Sequence, residues 1–200
     1  MAVVKHKPPI ERDMRVEIIA SHIKEILETL GEELREGLED TPNRVARMMM
    51  DELYTNGDPL DLELNALFAE EAISQDMVVV ENIPFNSWCE HHMVPYVGVA
   101  HVGYVPIKQY VGLSKIARLV KAAGRGLTIQ ERVTARIADA IENKLHPQGV
   151  MVVIEATHMC MVCRGARATG SRTTTSAVRG LFKESDAARA EFLSLVRGLK

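Results

Sequence analysis

Cys89, His91 and His92 stand within four residues of one another. A second cluster, His158-Met159-Cys160 with Cys163 and Arg164 close behind, adds more thiol and imidazole groups. Sulfur and imidazole nitrogen are the donors zinc prefers in tetrahedral geometry, and a catalytic zinc keeps three protein ligands and leaves the fourth position to water. Cys89 and His92 are three apart, so a tight turn can aim both at one ion, whereas on a strand they would face opposite ways. His158 and Cys160 are two apart at the end of a strand and share a face. This spacing makes Cys89, His92 and Cys160 the expected ligands, with His91 and His158 as nearby groups that exchange protons near neutral pH. The alternative is a closed structural site in which Cys163 is the fourth ligand. A redox role for Cys160-x-x-Cys163 is weaker. Such a pair should open a helix beside a strand–helix unit, and this one precedes a Gly/Arg/Thr-rich segment.

A second set of residues suits an anion. Ser114, Lys115 and Arg118 fall at the start of a predicted helix, where free amide hydrogens and the dipole already favour negative charge. An ordinary solvated helix face is the plainer reading of the same residues. Arg164, four residues from a proposed ligand, strengthens the polyphosphate reading. Glu131 has two readings. It sits three residues after Thr128, the spacing of a capping box that would occupy it with backbone amides, yet a carboxylate can also accept two hydrogen bonds from a guanine edge. Trp88, the single tryptophan, adjoins Cys89, with packing as the default and base stacking as the lesser reading.

These groups need elements to position them. Residues 10–30 carry apolar side chains at helical spacing up to Gly31, and Thr41-Pro42 opens a second helix that Asn56-Gly57-Asp58-Pro59 breaks. The segment 60–75 is expected to be partly helical. Met77–Val80 and Tyr96–Val105 read as strands, with the Cys89 cluster in the loop between them. Helices are expected over Leu113–Ala123 and from Thr128 to about Lys144. Val150–Thr157 and Arg172–Val178 complete a four-stranded sheet, and a last helix covers about Ser185 to Val196. The sum is an α+β chain, with a helical part over residues 1–75 and a sheet-and-helix domain over 76–200.

Composition narrows the choice of function. A length of 200 residues supports one sizeable core, and 46% hydrophobic content is ordinary for a globular protein. A net charge of −3 argues against general nucleic-acid binding. No apolar run approaches the ~20 residues that span a bilayer. Met1–Ile10 has lysines and prolines but no apolar export core, and three cysteines favour reduced thiols or metal over a disulfide framework. The reading is a cytoplasmic protein with no membrane or nucleic-acid partner.

Arg35-Glu36-Gly37-Leu38, Thr41-Pro42-Asn43-Arg44-Val45-Ala46, Cys89-Glu90-His91-His92, Gly112-Leu113-Ser114-Lys115, Gln130-Glu131-Arg132, His158-Met159-Cys160, Arg164-Gly165 and Ser171-Arg172-Thr173-Thr174-Thr175-Ser176 form an ordered series. In that series the chain closely resembles the GTP cyclohydrolase I family from about Gly31 to its C-terminus. The resemblance implies the tunnelling fold (T-fold), an antiparallel four-stranded sheet with two helices, and a helical N-terminal extension. It also implies a homodecamer of two pentameric rings with active sites between subunits, and one zinc per subunit on Cys89, His92 and Cys160. Glu131 would anchor guanine with Gln130 alongside. Ser114, Lys115, Arg118 and Arg164 would hold the triphosphate, Arg44 would reach it from a neighbouring subunit, and His91 and His158 would move protons. The implied reaction is hydrolysis of GTP at guanine C8, which releases formate and gives 7,8-dihydroneopterin triphosphate, the first step of pterin and folate synthesis. An iron-dependent relative making a cyclic phosphate and a non-catalytic nucleotide-binding module are the alternatives. Three features depart from the family pattern: Cys163, the Ala123-Gly124-Arg125-Gly126-Leu127 stretch in place of bulkier basic residues, and the residues before about Ile10.

Overall fold

The computed structural model describes residues 11–54, 69–71 and 74–196. The chain divides into two compact units, one through Tyr54 and one from Thr55. The first contains α1 (Arg12–Thr29) and α2 (Thr41–Glu52), which pack on each other and bury Ala20, Ala46 and Met50. Asp40, not the expected Thr41, is the N-cap of α2, and Thr41 is its first helical residue.

The second unit runs β1 (Ala69–Glu71), β2 (Val78–Cys89), β3 (Pro95–Val105), β4 (Gln109–Val111), α3 (Leu113–Ala123), β5 (Leu127–Thr128), α4 (Gln130–Leu145), β6 (Gly149–His158), α5 (Met159–Val162), β7 (Thr173–Gly180), α6 (Leu181–Glu184) and α7 (Asp186–Leu195). The main sheet has the order β5-β2-β3-β6-β7. Its four long strands are antiparallel, and two-residue β5 joins β2 in parallel. β1 pairs with β4 as a separate ribbon, so Ala69–Glu71 is strand where the sequence reading expected partial helix. The remainder of 60–75 lies outside the described residues, apart from Ser74 and Gln75, which have no regular structure.

Two helices cover one face of the sheet. Ile116, Leu119 and Val120 of α3 and Val133, Ile137 and Ile141 of α4 pack on Ile83, Phe85, Tyr96, Ala100, Val102, Val150, Val152 and Ile154. Met151 and Val153 point the other way, under Phe182 of α6 and Phe192 of α7. β6 is therefore covered on both sides, which explains why it reads as a continuous apolar run and not an alternating one. Gly103 of β3 is required by this second layer, because a Cβ there would lie 2.5 Å from the Phe192 ring.

Two expectations need correction. β2 does not stop at Val80. A bulge between Val80 and Ile83, with Asn82 at φ 56°, lets the strand continue to Cys89, so Cys89 ends a strand and does not float in a loop. The Thr128 capping box does not form, because Thr128 is taken into β5 beside Cys89 and the helix begins at Gln130 with Ile129 as its N-cap. At the C-terminus Ser185 does cap α7, its hydroxyl accepting from the Ala188 amide at 3.1 Å, while α6 is an extra turn before it.

Candidate metal centre and active site

The β2–β3 turn closes through Cys89 N–H to the Val94 carbonyl and Met93 N–H to the Cys89 carbonyl, each 2.9 Å, with Met93 left-handed at φ 53°. This turn throws His91 and His92 back over the end of the sheet. Their Nδ1 atoms lie 3.8 and 3.9 Å from Cys89 Sγ. From the far side of β3, β6 ends at His158, and the single turn of α5 carries Cys160. The ligand atoms of Cys89, His92 and Cys160 all lie within 4.8 Å of one another, and this is the one such group found among the described residues. An ion with tetrahedral sulfur and nitrogen ligands sets neighbouring donors about 3.6–3.8 Å apart, so the spacing suits one. Burial, and then the adjacent Cys89 sulfur, push the Cys160 thiol up from its ordinary value, so a cation is what would make it a thiolate.

Cys163 stands apart. It is exposed, and its thiol turns back to donate to the Met159 carbonyl at 2.8 Å. The closed four-ligand arrangement thus gains no support from the position of Cys163.

Around the donors the structure gathers four of the other expected residues. Arg164 Nη1 lies 2.5 Å from His92 Nε2. A guanidinium only donates, so this contact makes Nε2 the acceptor; a metal on Nδ1 would make Nε2 a donor and displace the arginine. His158 is stacked on Tyr96 with ring centroids 4.5 Å apart and planes 3° off parallel. Its Nε2 meets Gln130 Oε1 at 2.8 Å. Burial holds the His158 imidazole below its ordinary value, and the Glu131 carboxylate pulls the other way. Glu131, freed from any capping box, is exposed at the second position of α4. β5 brings this helix start to the metal turn: Thr128 pairs with Cys89, and Glu90 N–H donates to the Thr128 carbonyl at 3.2 Å.

Ser114, Lys115 and Arg118 form a separate group on the first turns of α3, with the buried Ile116 and Leu119 directed at the sheet. Arg44 belongs to the first unit, where its Nε donates to Asp40 at 3.1 Å. Trp88 precedes Cys89 on β2, so strand alternation puts it on the opposite face from that thiol.

The sequence reading missed three supporting groups. Tyr96 is fully buried under His158, and burial pushes its phenol up to about 12. Arg132 donates to Glu90 at 2.7 Å, which holds the Glu90 carboxyl below its usual range. The Gln130 side-chain amide donates to the Thr173 carbonyl and the Thr175 hydroxyl, and Thr134 donates to the Gln130 main-chain carbonyl. Apart from Thr134, four residues on from Gln130, the partners lie tens of residues apart in sequence and meet only through the fold.

Three convergent N and S donors with no fourth ligand grouped with them among the described residues, two histidines beside them and an exposed carboxylate on α4 have the make-up of an enzyme site on an α+β scaffold. The GTP cyclohydrolase I family model matches residues 19–197. The GTP cyclohydrolase 1 of Desulforamulus reducens is 50% identical over 180 residues, covering 89% of this chain and 95% of that protein. Its counterpart in Halalkalibacterium halodurans is 51% identical over 177 residues, with 86% and 92% covered. That of Clostridioides difficile is 48% identical over 184 residues, with 90% and 95% covered. The chain belongs to the GTP cyclohydrolase I family, and its architecture is the T-fold of that family.

Proposed function

We propose that this chain hydrolyses GTP at C8 of the guanine ring, releasing formate and forming 7,8-dihydroneopterin triphosphate, with zinc on Cys89, His92 and Cys160. The observation that carries the reading is the convergence of those three donors beside a fixed His158. Two thiols and an imidazole are a zinc donor set, and when bound the ion would activate water for attack on the ring.

The chain's own residues do the rest. Glu131 accepts two hydrogen bonds from the guanine edge and so fixes C8 against the donors. Its exposure at a helix start leaves both carboxylate oxygens available. His158 delivers a proton to the imidazole nitrogen of the base as the ring opens, and His91 exchanges protons on the side of the Cys89 sulfur. Ser114, Lys115 and Arg118 bind the triphosphate at the start of α3, where amide hydrogens add to the positive charge. Arg164 joins them once released from His92, and Arg44 completes the site from a neighbouring subunit of a homodecamer.

The test is to incubate purified chain with GTP, follow formate and the fluorescence of the oxidised pterin, and measure zinc by atomic emission. Equal yields of formate and pterin at one zinc per chain are expected. GTP consumption without formate, or turnover unaffected by metal removal, would overturn the reading.

A further inference from the structure

We propose that Gln130 serves the reaction as a positioning residue for His158, fixing which ring nitrogen of that histidine is offered to the substrate. The inference rests on the reaction proposed above, but it is built from hydrogen-bond direction alone.

The Gln130 side chain is 1% exposed, and its Nε2 lies 2.9 Å from the Ile154 carbonyl and 3.0 Å from the Thr173 carbonyl. Carbonyl oxygens only accept, so the nitrogen end of the amide must face them. The flipped amide would bury oxygen against two oxygens.

A chain of hydroxyls imposes the same direction. Thr134 Oγ1 donates to the Gln130 main-chain carbonyl at 2.7 Å and so spends its one proton there. Its 2.7 Å contact with Thr175 Oγ1 is then donated by Thr175. Thr175 Oγ1, its own proton used, accepts from Gln130 Nε2 at 3.0 Å. Nε2 has two hydrogens for these three acceptors, so one is shared, but none of the three positions could be filled by Oε1 without setting oxygen against oxygen or leaving Thr175 with a second proton to find.

Gln130 Oε1 is left to face His158 Nε2 at 2.8 Å, and an amide oxygen requires a proton on that nitrogen. The parallel Tyr96 ring fixes the plane of the imidazole, and Gln130 fixes its rotation within that plane. Nδ1 is therefore the atom that exchanges a proton with the substrate. When the Nδ1–H bond breaks, the proton goes to the base nitrogen and the electron pair stays on Nδ1. The ring is left as the Nε2–H tautomer that Gln130 already holds, so no rearrangement is needed. Gln130 itself has no amide hydrogen left for guanine, and its burial keeps it from the substrate.

Two substitutions separate positioning from simple structural support. Gln130→Met removes the acceptor and should lower kcat about 10- to 100-fold, with KM for GTP and zinc content unchanged. Gln130→Glu keeps an acceptor for His158 but sets a carboxylate against two carbonyls. It should melt below the Met variant yet retain more of kcat. Nitrogen-15 magic-angle-spinning spectra of histidine-labelled, zinc-loaded protein should show His158 as the Nε2–H form in wild type and as a mixture in Gln130→Met. A rise in KM with kcat held would make Gln130 a substrate contact and overturn the proposal. Losses of kcat that follow melting temperature, with Glu worst, would do the same. A wild-type spectrum with the proton on Nδ1 would also refute it, and that reading needs no variant to fold. Wild-type protein that forms no pterin would overturn the reaction and leave the spectrum to judge Gln130 separately.

Discussion

Replacing each thiol of the later pair in turn tests whether the centre is open. Cys163→Ala removes an exposed side chain whose thiol only donates to the Met159 carbonyl within its own turn. A surface change of this kind moves stability by no more than about 0.5 kcal/mol, and it touches none of the three donors. Zinc stoichiometry and turnover should both match wild type. Cys160→Ala removes one of three protein donors. Four-ligand zinc peptides bind with about 10–16 kcal/mol, or roughly 3 kcal/mol for each ligand, so affinity should fall by more than about 100-fold. Competition with a chromogenic chelator gives both affinities directly, and pterin fluorescence gives turnover on the same samples. Zinc release from Cys163→Ala, or its retention by Cys160→Ala, would refute the assignment and make Cys163 a ligand.

Other outcomes follow from the same geometry. His158→Ala should keep zinc near the wild-type amount while pterin formation falls by at least about 100-fold; metal loss would instead make His158 a ligand. Lys115→Ala should raise KM for GTP with zinc unchanged, and an unaltered KM would remove α3 from the triphosphate site. His101 is fully buried, with Nδ1 accepting from the Asn82 amide at 3.3 Å and Nε2 without a partner among the described residues. Burial lowers its folded-state value, while Glu155 and Glu81 oppose the shift. Its neutral form is native, so its contribution to stability is whole above the unfolded value of about 6.5. Below that the unfolded chain takes up a proton that the fold refuses, and stability declines by up to about 1.4 kcal/mol per pH unit until the folded value is reached. Denaturation midpoints between pH 7 and 5 should fall less steeply in His101→Gln, and identical slopes would refute the attribution.

The parts of the chain that were legible are those with scarce chemistry or an unbroken pattern. Two thiol–imidazole clusters have few uses, so the grouping of Cys89, His92 and Cys160 could be read from residue types and spacing. β6 could be read because its Val/Ile run has no interruption. β2 was cut short because Glu81, Asn82 and Pro84 break its alternation, and a bulge that restores the pattern leaves no sequence signature beyond Asn82. Thr128 and Glu131 had the right spacing for a capping box, but Thr128 is worth more to the fold as a pairing partner for Cys89. Local propensity lost to a tertiary contact. The surroundings of Gln130 were illegible for the same reason, since Ile154, Thr173 and Thr175 meet it only through the sheet.

β3 contributes no donor to the centre, yet it runs between β2, which ends at Cys89, and β6, which leads into the turn carrying Cys160, with Tyr96 paired to Ser87 on one side and to His158 on the other. It acts as the spacer that sets how far apart the two thiols are held. A substitution anywhere along it that eases the pairing would let the gap breathe, and the ion's residence time would shorten although no neighbour of the ion had changed. Metal dissociation rates measured across β3 variants would thus gauge the tightness of the sheet.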